Sequence, residues 1–181
     1  MHILGISGSL RQDSFNTAAL RACGDHLPPG ATMSVFDLAP IPLYNEDVRA
    51  QGLPAAVQQL REQIRAADAL LIATPEYNYS FPGVLKNAID WASRPPEQPF
   101  DGKPIALLGA TPGGLGTSRA QYHLRQVFIY LNGCVLNRPE VFISGAPNKF
   151  DADGKLTDAA TGEMLAKLLA ALADWAQQLR R

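Results

Sequence analysis

Residues 2–23, HILGISGSLRQDSFNTAALRAC, pass from a short apolar stretch through a polar loop into a helical pattern. His2–Ser7 has the length and composition of a buried strand. From Ser14 to Leu27 apolar residues recur at helical spacing, with Leu20 and Cys23 on one face. A strand, a loop and a helix in this order begin a βαβ unit, which predicts a parallel sheet.

The alternation of strands and helices continues along the chain. Further strands are predicted at Thr32–Leu38, Ala69–Ala73, Ile105–Gly109 and Cys134–Leu136, with Val141–Ile143 as a candidate addition to the last. Further helices are predicted from about Pro54, from Pro82, over Thr117–Leu131 and over the segment that carries Leu165 to Leu179. This pattern predicts an α/β fold, namely a flavodoxin-like, three-layer, doubly wound parallel sheet of five strands in the order 2-1-3-4-5. We expect residues 1–181 to form a single domain of this kind, because no linker or repeat divides them.

The composition argues against several classes of protein. The chain has 181 residues and a formal net charge of −1, without the basic excess expected of a nucleic-acid-binding protein. Its two cysteines show no CxxC spacing, which argues against a structural zinc site or a disulfide scaffold. No apolar run approaches the roughly 20 residues of a membrane span, and Met1–Ile6 is too short for a signal peptide. We therefore expect a cytoplasmic protein that binds neither membrane nor nucleic acid.

Three loops of unusual composition follow the first, third and fourth predicted strands. They are Gly8–Asn16, Pro75–Ser80 and Thr111–Gly116. In a doubly wound sheet the ligand binds outside the carboxyl ends of the strands, at the point where the strand order reverses. The three loops are therefore expected to converge on one ligand site.

The first loop combines hydroxyl groups, an amide and Arg11 just before a helix begins. Backbone N–H groups, hydroxyl donors and the positive end of a helix dipole favour a phosphate, and Arg11 can add a charged hydrogen bond. Ser14 is by itself a favoured N-cap, so a purely structural role for it stays open. Two other motifs fit less well. Ser7 and Arg11 stand where a dinucleotide fingerprint needs glycines, and Ser9 ends what would otherwise be a G-x-S-x-G elbow.

The second and third loops suit a flat, partly polar ligand. The second, PEYNYSFP over residues 75–82, places two tyrosines and an asparagine between prolines that restrict the backbone. Such a loop can offer amides to the edge of a flavin and aromatic rings to its face; a simple turn with exposed tyrosines is the alternative. The third, TPGGLGT over residues 111–117, is rich in glycine, which lets a backbone approach a planar ligand closely. By itself the third loop is a weak signal.

The remaining reactive side chains predict no second site. His2, His26 and His123 have no metal-like spacing and are expected at the surface or at strand ends. Cys134 is expected to pack in the core, and Asp151–Gly154 to form a turn.

Four segments together resemble one known family: GSLR at 8–11, SFNT at 14–17, PEYNYS at 75–80 and LKNAIDW at 85–91. The chain closely resembles the NADPH-dependent FMN reductase family over essentially its whole length. The segment QYHLRQ at 121–126 makes it most similar, within that family, to bacterial quinone and chromate reductases.

The resemblance implies a set of residues for binding FMN. The phosphate would be held by Ser9, Arg11, Ser14, Asn16 and Thr17. The isoalloxazine would be lined by Pro75, Glu76, Tyr77, Asn78 and Tyr79, with the backbone N–H groups of Tyr77 and Asn78 facing its polar edge. Thr111, Gly113 and Gly114 would border the other side. Pro112 departs from the small residues of the family pattern, and its lack of an N–H removes one potential donor to the flavin.

The resemblance also implies the activity. It predicts an oxidoreductase that takes electrons from NADPH or NADH through bound FMN and reduces small acceptors by a ping-pong route. Quinones, chromate, azo compounds and free flavin are all candidate acceptors. No protein acid, base or nucleophile is assigned, because the cofactor carries the chemistry. The alternatives are a flavodoxin-type electron carrier, which a net charge of −1 does not favour, and a regulatory protein without flavin.

Self-association is the last expectation from the resemblance, as a homodimer that can pair again into a tetramer. The helices after the third and fourth strands would form the interface, and they carry Ile89 and Trp91, and Tyr122, Ile129 and Tyr130. On the second of these helices, Ala120, Leu124, Val127 and Leu131 would face the core and leave the other three residues outside it. Scattered surface apolar residues are also normal in monomers, so that reading stays open.

Overall fold

The fold is a twisted parallel sheet covered by helices on both faces, as the computed structural model describes for residues 1–180. The strands are β1 (His2–Ser7), β2 (Thr32–Phe36), β3 (Ala69–Ala73), β4 (Pro104–Ala110), β5 (Cys134–Val135) and β6 (Val141–Ile143). The helices are α1 (Phe15–Cys23), α2 (Glu46–Arg49), α3 (Ala55–Ala66), α4 (Gly83–Ala92), α5 (Ser118–Tyr130) and α6 (Ala159–Leu179). The order β2-β1-β3-β4-β5 confirms the predicted flavodoxin-like topology.

The fifth position of the sheet is shared by two short strands. β5 pairs with Pro104 and Ile105 at the start of β4, whereas β6 pairs with Leu108–Ala110 at its end. Pro139, which lies between the two strands, has no N–H to donate to a ladder. The chain therefore leaves the sheet after β5 and returns at β6, where it reaches the end of β4 that faces the predicted ligand site.

Alternation along the strands produces two cores, one on each face of the sheet. In β3, Leu70 and Ile72 pack with α3, α4 and α5, whereas Ala69, Leu71 and Ala73 pack with α1 and α6. All five residues of β3 are buried, as expected for a parallel strand covered on both faces. The result is the predicted three-layer arrangement.

Two predicted boundaries are wrong by a few residues. α1 ends at Cys23 and continues as a short 3₁₀ turn, Gly24–His26, because a residue before proline disfavours the helical region and Leu27 is extended. β2 ends at Phe36, where the side chain of Asp37 accepts a hydrogen bond from Ala39 N at 2.9 Å and turns the chain. In addition, the short helix α2 lies between β2 and α3, where no helix was predicted.

Two further expectations about packing are wrong. Ile89 and Trp91 of α4 lie in the core, so they cannot form a subunit interface; the indole Nε1 of Trp91 donates to Pro42 O at 2.9 Å. In α5 the buried Phe128 belongs to the core face, to which it was not assigned, and Val127 packs against the core while only partly buried. The cause is that the apolar face of α5 is broad, so the pattern alone does not fix which apolar residues turn inward. No helix within residues 1–180 is long and apolar enough to cross a membrane.

Candidate cofactor site

The three loops after β1, β3 and β4 meet at one edge of the sheet, as predicted. Gly8 N donates to Ala73 O at 2.8 Å, and Thr74 N donates to Leu108 O at 3.0 Å, so the loops leave the sheet side by side. They enclose a cavity of about 460 Å³, within the size range of small-ligand pockets. Its lining consists of Ser9, Arg11, Ser14, Phe15, Asn16, Pro75, Glu76, Tyr77, Ala110, Thr111 and Pro112.

The start of α1 supplies donors for an anion. Ser14 caps the helix, since its Oγ accepts from Asn16 N at 3.2 Å and from Thr17 N at 3.4 Å. This confirms its structural role, and its own hydroxyl proton is still available to a ligand. The Thr17 hydroxyl lies 2.9 Å from Ser7 Oγ, so it is already paired within the loop.

Asn16 has a structural role that the sequence did not show. Its Nδ2 donates to Ala110 O at 3.0 Å, and its Oδ1 accepts from Ala110 N at 2.9 Å, so the buried amide joins the start of α1 to the end of β4. This pair uses the amide oxygen and one of the two Nδ2 hydrogens. The predicted contact of Asn16 with phosphate stays a prediction.

Arg11 lines the same cavity as these donors. Its side chain is exposed, and its guanidinium lies 5.8 Å from the centre of the Phe15 ring. Ser9 Oγ accepts from Arg11 N at 3.3 Å, which fixes the turn of the loop. Arg11 forms no ion pair with any carboxylate in residues 1–180. The guanidinium is thus free to pair with a ligand phosphate.

The second loop is a tight two-residue turn. Tyr77 N donates to Ser80 O at 2.9 Å and Ser80 N donates to Tyr77 O at 3.0 Å, while Asn78 and Tyr79 have φ of 51° and 69°. Left-handed backbone at both central positions is the signature of a type I′ turn. The Tyr77 N–H is therefore already bonded to Ser80 O, and its expected contact with the flavin edge stays a prediction. The N–H of Asn78 makes no such bond in the described residues and can still serve the flavin.

Glu76 anchors this turn to helix α5. Its carboxylate is only 8% exposed, pairs with the Arg119 guanidinium, and accepts from Arg119 Nε at 2.5 Å and from Ala120 N at 3.2 Å. The Arg119 guanidinium also lies 3.7 Å from the centre of the Tyr79 ring, which is close enough for a cation–π contact. The contacts of the Glu76 carboxylate thus hold the turn against α5. A lining role for Glu76 beside the flavin stays a prediction.

Arg119 is the functional residue that sequence reasoning missed. A cation in the first turn of a helix interacts unfavourably with the helix dipole, so a nearby carboxylate is expected to compensate for it. That irregularity was the available signal, although it could not identify Glu76 as the partner. His123 is exposed as predicted, and its Nδ1 lies 3.2 Å from Ser80 Oγ at the end of the turn.

The third loop is held by β6 and leaves open space at Gly114. Thr111 N donates to Ile143 O at 3.0 Å, and Gly145 N donates to Gly113 O at 3.1 Å. Gly116 has a φ of 55°, and a Cβ there would lie 2.5 Å from the carbonyl carbon of Phe142, so only glycine fits. A Cβ on Gly114 would meet nothing within 4 Å. A flat ligand can therefore approach the backbone at this position.

The donor set fits FMN. An anion site at the start of a helix stands beside Arg11, and a rigid turn and an open glycine loop border the space for a ring. The residues described contain no group of three or more His, Cys, Asp or Glu side chains that could hold a metal ion. The donors described here could bind and orient such a cofactor, and the absence of a protein acid or base stays a prediction.

The chain is similar in sequence to known flavin and quinone reductases. The profile of a family described as NADPH-dependent FMN reductase matches residues 1–148. An NAD(P)H-dependent FMN reductase of Pseudomonas aeruginosa is 61% identical over 178 residues, covering 98% of this chain and 96% of the relative. A quinone reductase of Escherichia coli is 42% identical over 183 residues, covering 99% and 97%.

Solved structures agree with the sequence comparison. The flavoenzyme FerB of Paracoccus denitrificans, an NAD(P)H:(acceptor) oxidoreductase, superposes with a TM-score of 0.89 at 34% identity. The match covers 98% of this chain and 97% of that one.

Proposed function

Since this chain belongs to the NADPH-dependent FMN reductase family, we propose that the cavity between the three loops is its FMN site and that quinones are among its acceptors. The protein is an FMN-dependent NAD(P)H oxidoreductase. The observation that supports the site most directly is the meeting of a helix start, the second loop and the beginning of the third loop, at Thr111 and Pro112, around one cavity of about 460 Å³.

The phosphate of FMN would bind at the start of α1. There the dipole of the helix and the backbone N–H groups favour an anion. Ser9 and Ser14 would add hydroxyl donors, and Arg11 would add a charged hydrogen bond. Thr17 would support the loop through its pair with Ser7, 2.9 Å away.

The ring would lie between the second and third loops. Asn78 would donate its backbone N–H to the polar edge of the ring, while Pro75 and Pro112 would give apolar walls. Thr111, Gly113 and Gly114 would border the opposite side, where the missing side chains permit close approach. Tyr77 and Tyr79 are exposed beside this space and would contact whatever enters it.

Bound FMN supplies the acceptor of hydride from NAD(P)H and the donor of electrons to the second substrate. The chain would orient the ring and leave one face open to solvent. With a single open face, NAD(P)H and the acceptor must use the same place in turn. Initial rates at several fixed acceptor concentrations should therefore give parallel double-reciprocal lines, and intersecting lines would contradict a shared place.

Anaerobic mixing with NADPH tests the proposed function itself. The visible absorbance of the bound flavin should be lost on mixing and should return when a quinone is added. An electron carrier of the flavodoxin type would bind FMN without losing its colour to NADPH. A folded protein that cannot be loaded with FMN would contradict the proposed site outright.

We also propose a homodimer that uses helix α5. Tyr122, Ile129 and Tyr130 are 49%, 78% and 87% exposed, and Tyr122 and Ile129 are seven residues apart on one face of the helix. A two-fold interface would cover this face with the same face of a second chain. Ile129→Asp should then produce a monomer, as measured by sedimentation velocity, whereas a monomeric wild type at micromolar concentration would contradict the proposal.

We also propose that the protein is cytoplasmic. Its support is the dependence on NAD(P)H and the two cysteines, Cys23 and Cys134, which are both free, as is usual in a reducing compartment.

A further inference from the structure

A second cavity lies on the outer side of the phosphate loop. Its volume is about 650 Å³, and it is bounded by residues 11–15, by one face of α1 and by residues 147–154. Arg11, Ser14 and Phe15 line this cavity and the FMN cavity as well. The two spaces therefore meet at the place where the FMN phosphate is proposed to bind.

The inner wall of the second cavity is aromatic. The rings of Phe15 and Phe150 are 5.8 Å apart and inclined by 36°. Phe15 is partly exposed, and the Arg11 guanidinium lies 5.8 Å from the centre of its ring. Flat aromatic faces and guanidinium planes are the surfaces on which nucleic-acid bases stack.

The rim of the cavity carries separated charges. Arg21, on α1, is exposed and forms no ion pair in residues 1–180; a Cβ on Gly154 would lie 3.3 Å from its Nη2, so its guanidinium lies against the turn across the cavity. Asp151 Oδ1 accepts from Asp153 N at 3.0 Å and from Lys155 N at 2.8 Å, which holds this turn. Asp13 and Asp153 are exposed on the rim and carry no cation partner in the same residues.

We propose that this cavity holds the adenosine monophosphate half of FAD, so that the chain accepts FAD in the place of FMN. The inference rests on the proposed FMN site. In FAD the phosphate of the FMN half continues through a pyrophosphate bond into adenosine monophosphate, and the second cavity adjoins the site of that phosphate. Arg11 and Arg21 would pair with the two phosphates, the Phe15 ring would stack on adenine, and the carboxylate of Asp13 or Asp153 would accept from ribose hydroxyls.

The two cavities have the sizes that this division requires. Each falls in the range of about 300–1,000 Å³ that is usual for small-ligand sites. The carboxylates oppose the phosphate charge, but all three are exposed, so water and salt screen them. The affinity for FAD should therefore rest mainly on Arg21 and on stacking against Phe15.

Titration of the apo-protein with FMN and with FAD tests the proposal, by calorimetry on the same preparation. FAD should bind with a dissociation constant within about tenfold of that for FMN, since the isoalloxazine half binds identically. Arg21→Gln should weaken FAD by about fivefold or more, as expected for the loss of a partly exposed charged hydrogen bond, and should leave FMN affinity within about twofold. Ala152→Trp, at an exposed position on the cavity lining, should fill the space and weaken FAD alone. Lys155→Gln is the matched control, because its cation lies on the same turn outside the lining.

Three results would overturn the proposal. The first is FAD binding more than about 100-fold weaker than FMN, which corresponds to a loss of nearly 3 kcal/mol. The second is an equal loss of FMN and FAD affinity in Arg21→Gln and Ala152→Trp. The third is a raised KM for NADPH in these variants with unchanged FAD affinity, which would indicate that the cavity binds NADPH and not FAD. Failure of the proposed function is separate, since it would show as a wild type that does not bind FMN or does not lose its colour with NADPH.

Discussion

The contact between Glu76 and Arg119 should control both the stability of the protein and its affinity for FMN. Arg119→Met removes the charged partner of a carboxylate that is only 8% exposed and leaves it with the Ala120 N–H at 3.2 Å. It also removes the cation that lies over Tyr79. The second loop would then lose its tie to helix α5, although its own turn would persist.

The magnitude follows from the burial of the two partners. Breaking a fully buried pair costs about 3–5 kcal/mol, and an exposed pair contributes about 0.2–1 kcal/mol. Because Glu76 is almost buried whereas Arg119 is 36% exposed, we expect Arg119→Met to lower the free energy of unfolding by about 1–2 kcal/mol. The looser turn should weaken FMN by about fivefold, which corresponds to roughly 1 kcal/mol.

A double-mutant cycle measures this contact. Glu76→Gln, Arg119→Met and the double variant would be unfolded with urea as apo-proteins and titrated with FMN, and the coupling energy should be about 1 kcal/mol. Lys86→Met is the matched control, because the Lys86–Asp90 pair is exposed on α4 at 2.9 Å and should contribute less than about 0.5 kcal/mol. A coupling energy below about 0.3 kcal/mol together with unchanged FMN affinity would refute the reasoning.

Three further predictions follow from the same site and core. Arg11→Ala should weaken FMN by about 10- to 150-fold, the effect of losing a charged hydrogen bond of about 1.5–3 kcal/mol, with the urea midpoint of the apo-protein unchanged; equal FMN affinity would remove Arg11 from the site. Asn16→Ala should lower the free energy of unfolding by about 2–5 kcal/mol, because Ala110 N–H and C=O would both be left buried without partners; a loss below about 1 kcal/mol would contradict this. Burial raises the pKa of the Cys23 thiol to about 12, from 9.0 for an exposed thiol, because the folded state favours the neutral form. The contribution of this preference to the stability of the folded state is complete below pH 9 and is lost as the pH rises towards 12. At pH 8 Cys23 should thus react with a thiol reagent far more slowly than the partly exposed Cys134, and equal rates by mass spectrometry would contradict the burial argument.

The fold and the meeting of the three loops could be predicted from local features of the sequence. Apolar runs such as Ala69–Ala73 mark strands that are covered on both faces. In a doubly wound parallel sheet the strand order then determines where the loops meet. Loops of unusual composition after three of those strands were enough to place one ligand site there, and the structure brings those loops around one cavity.

The roles of individual side chains within the site could not be predicted in the same way. Asn16 pairs with Ala110, 94 residues away in the chain, and Glu76 pairs with Arg119, 43 residues away. No local pattern reports such a partner, since the pairing depends on where separate elements lie in space. For the same reason the sequence could not tell that the Tyr77 N–H is taken by Ser80 O.

For the helices too, the sequence predicted the element, whereas tertiary packing decided which residues are buried. The 3.6-residue period identified α4 and α5 as amphipathic helices without further help. It could not show that Trp91 is buried, with its N–H satisfied by Pro42 O, while Ile129 is left in solvent. Periodicity records how often apolar residues recur along a chain. Only packing against the sheet and its neighbouring helices selects which of them turn inward, because that choice depends on contacts made by residues far apart in sequence.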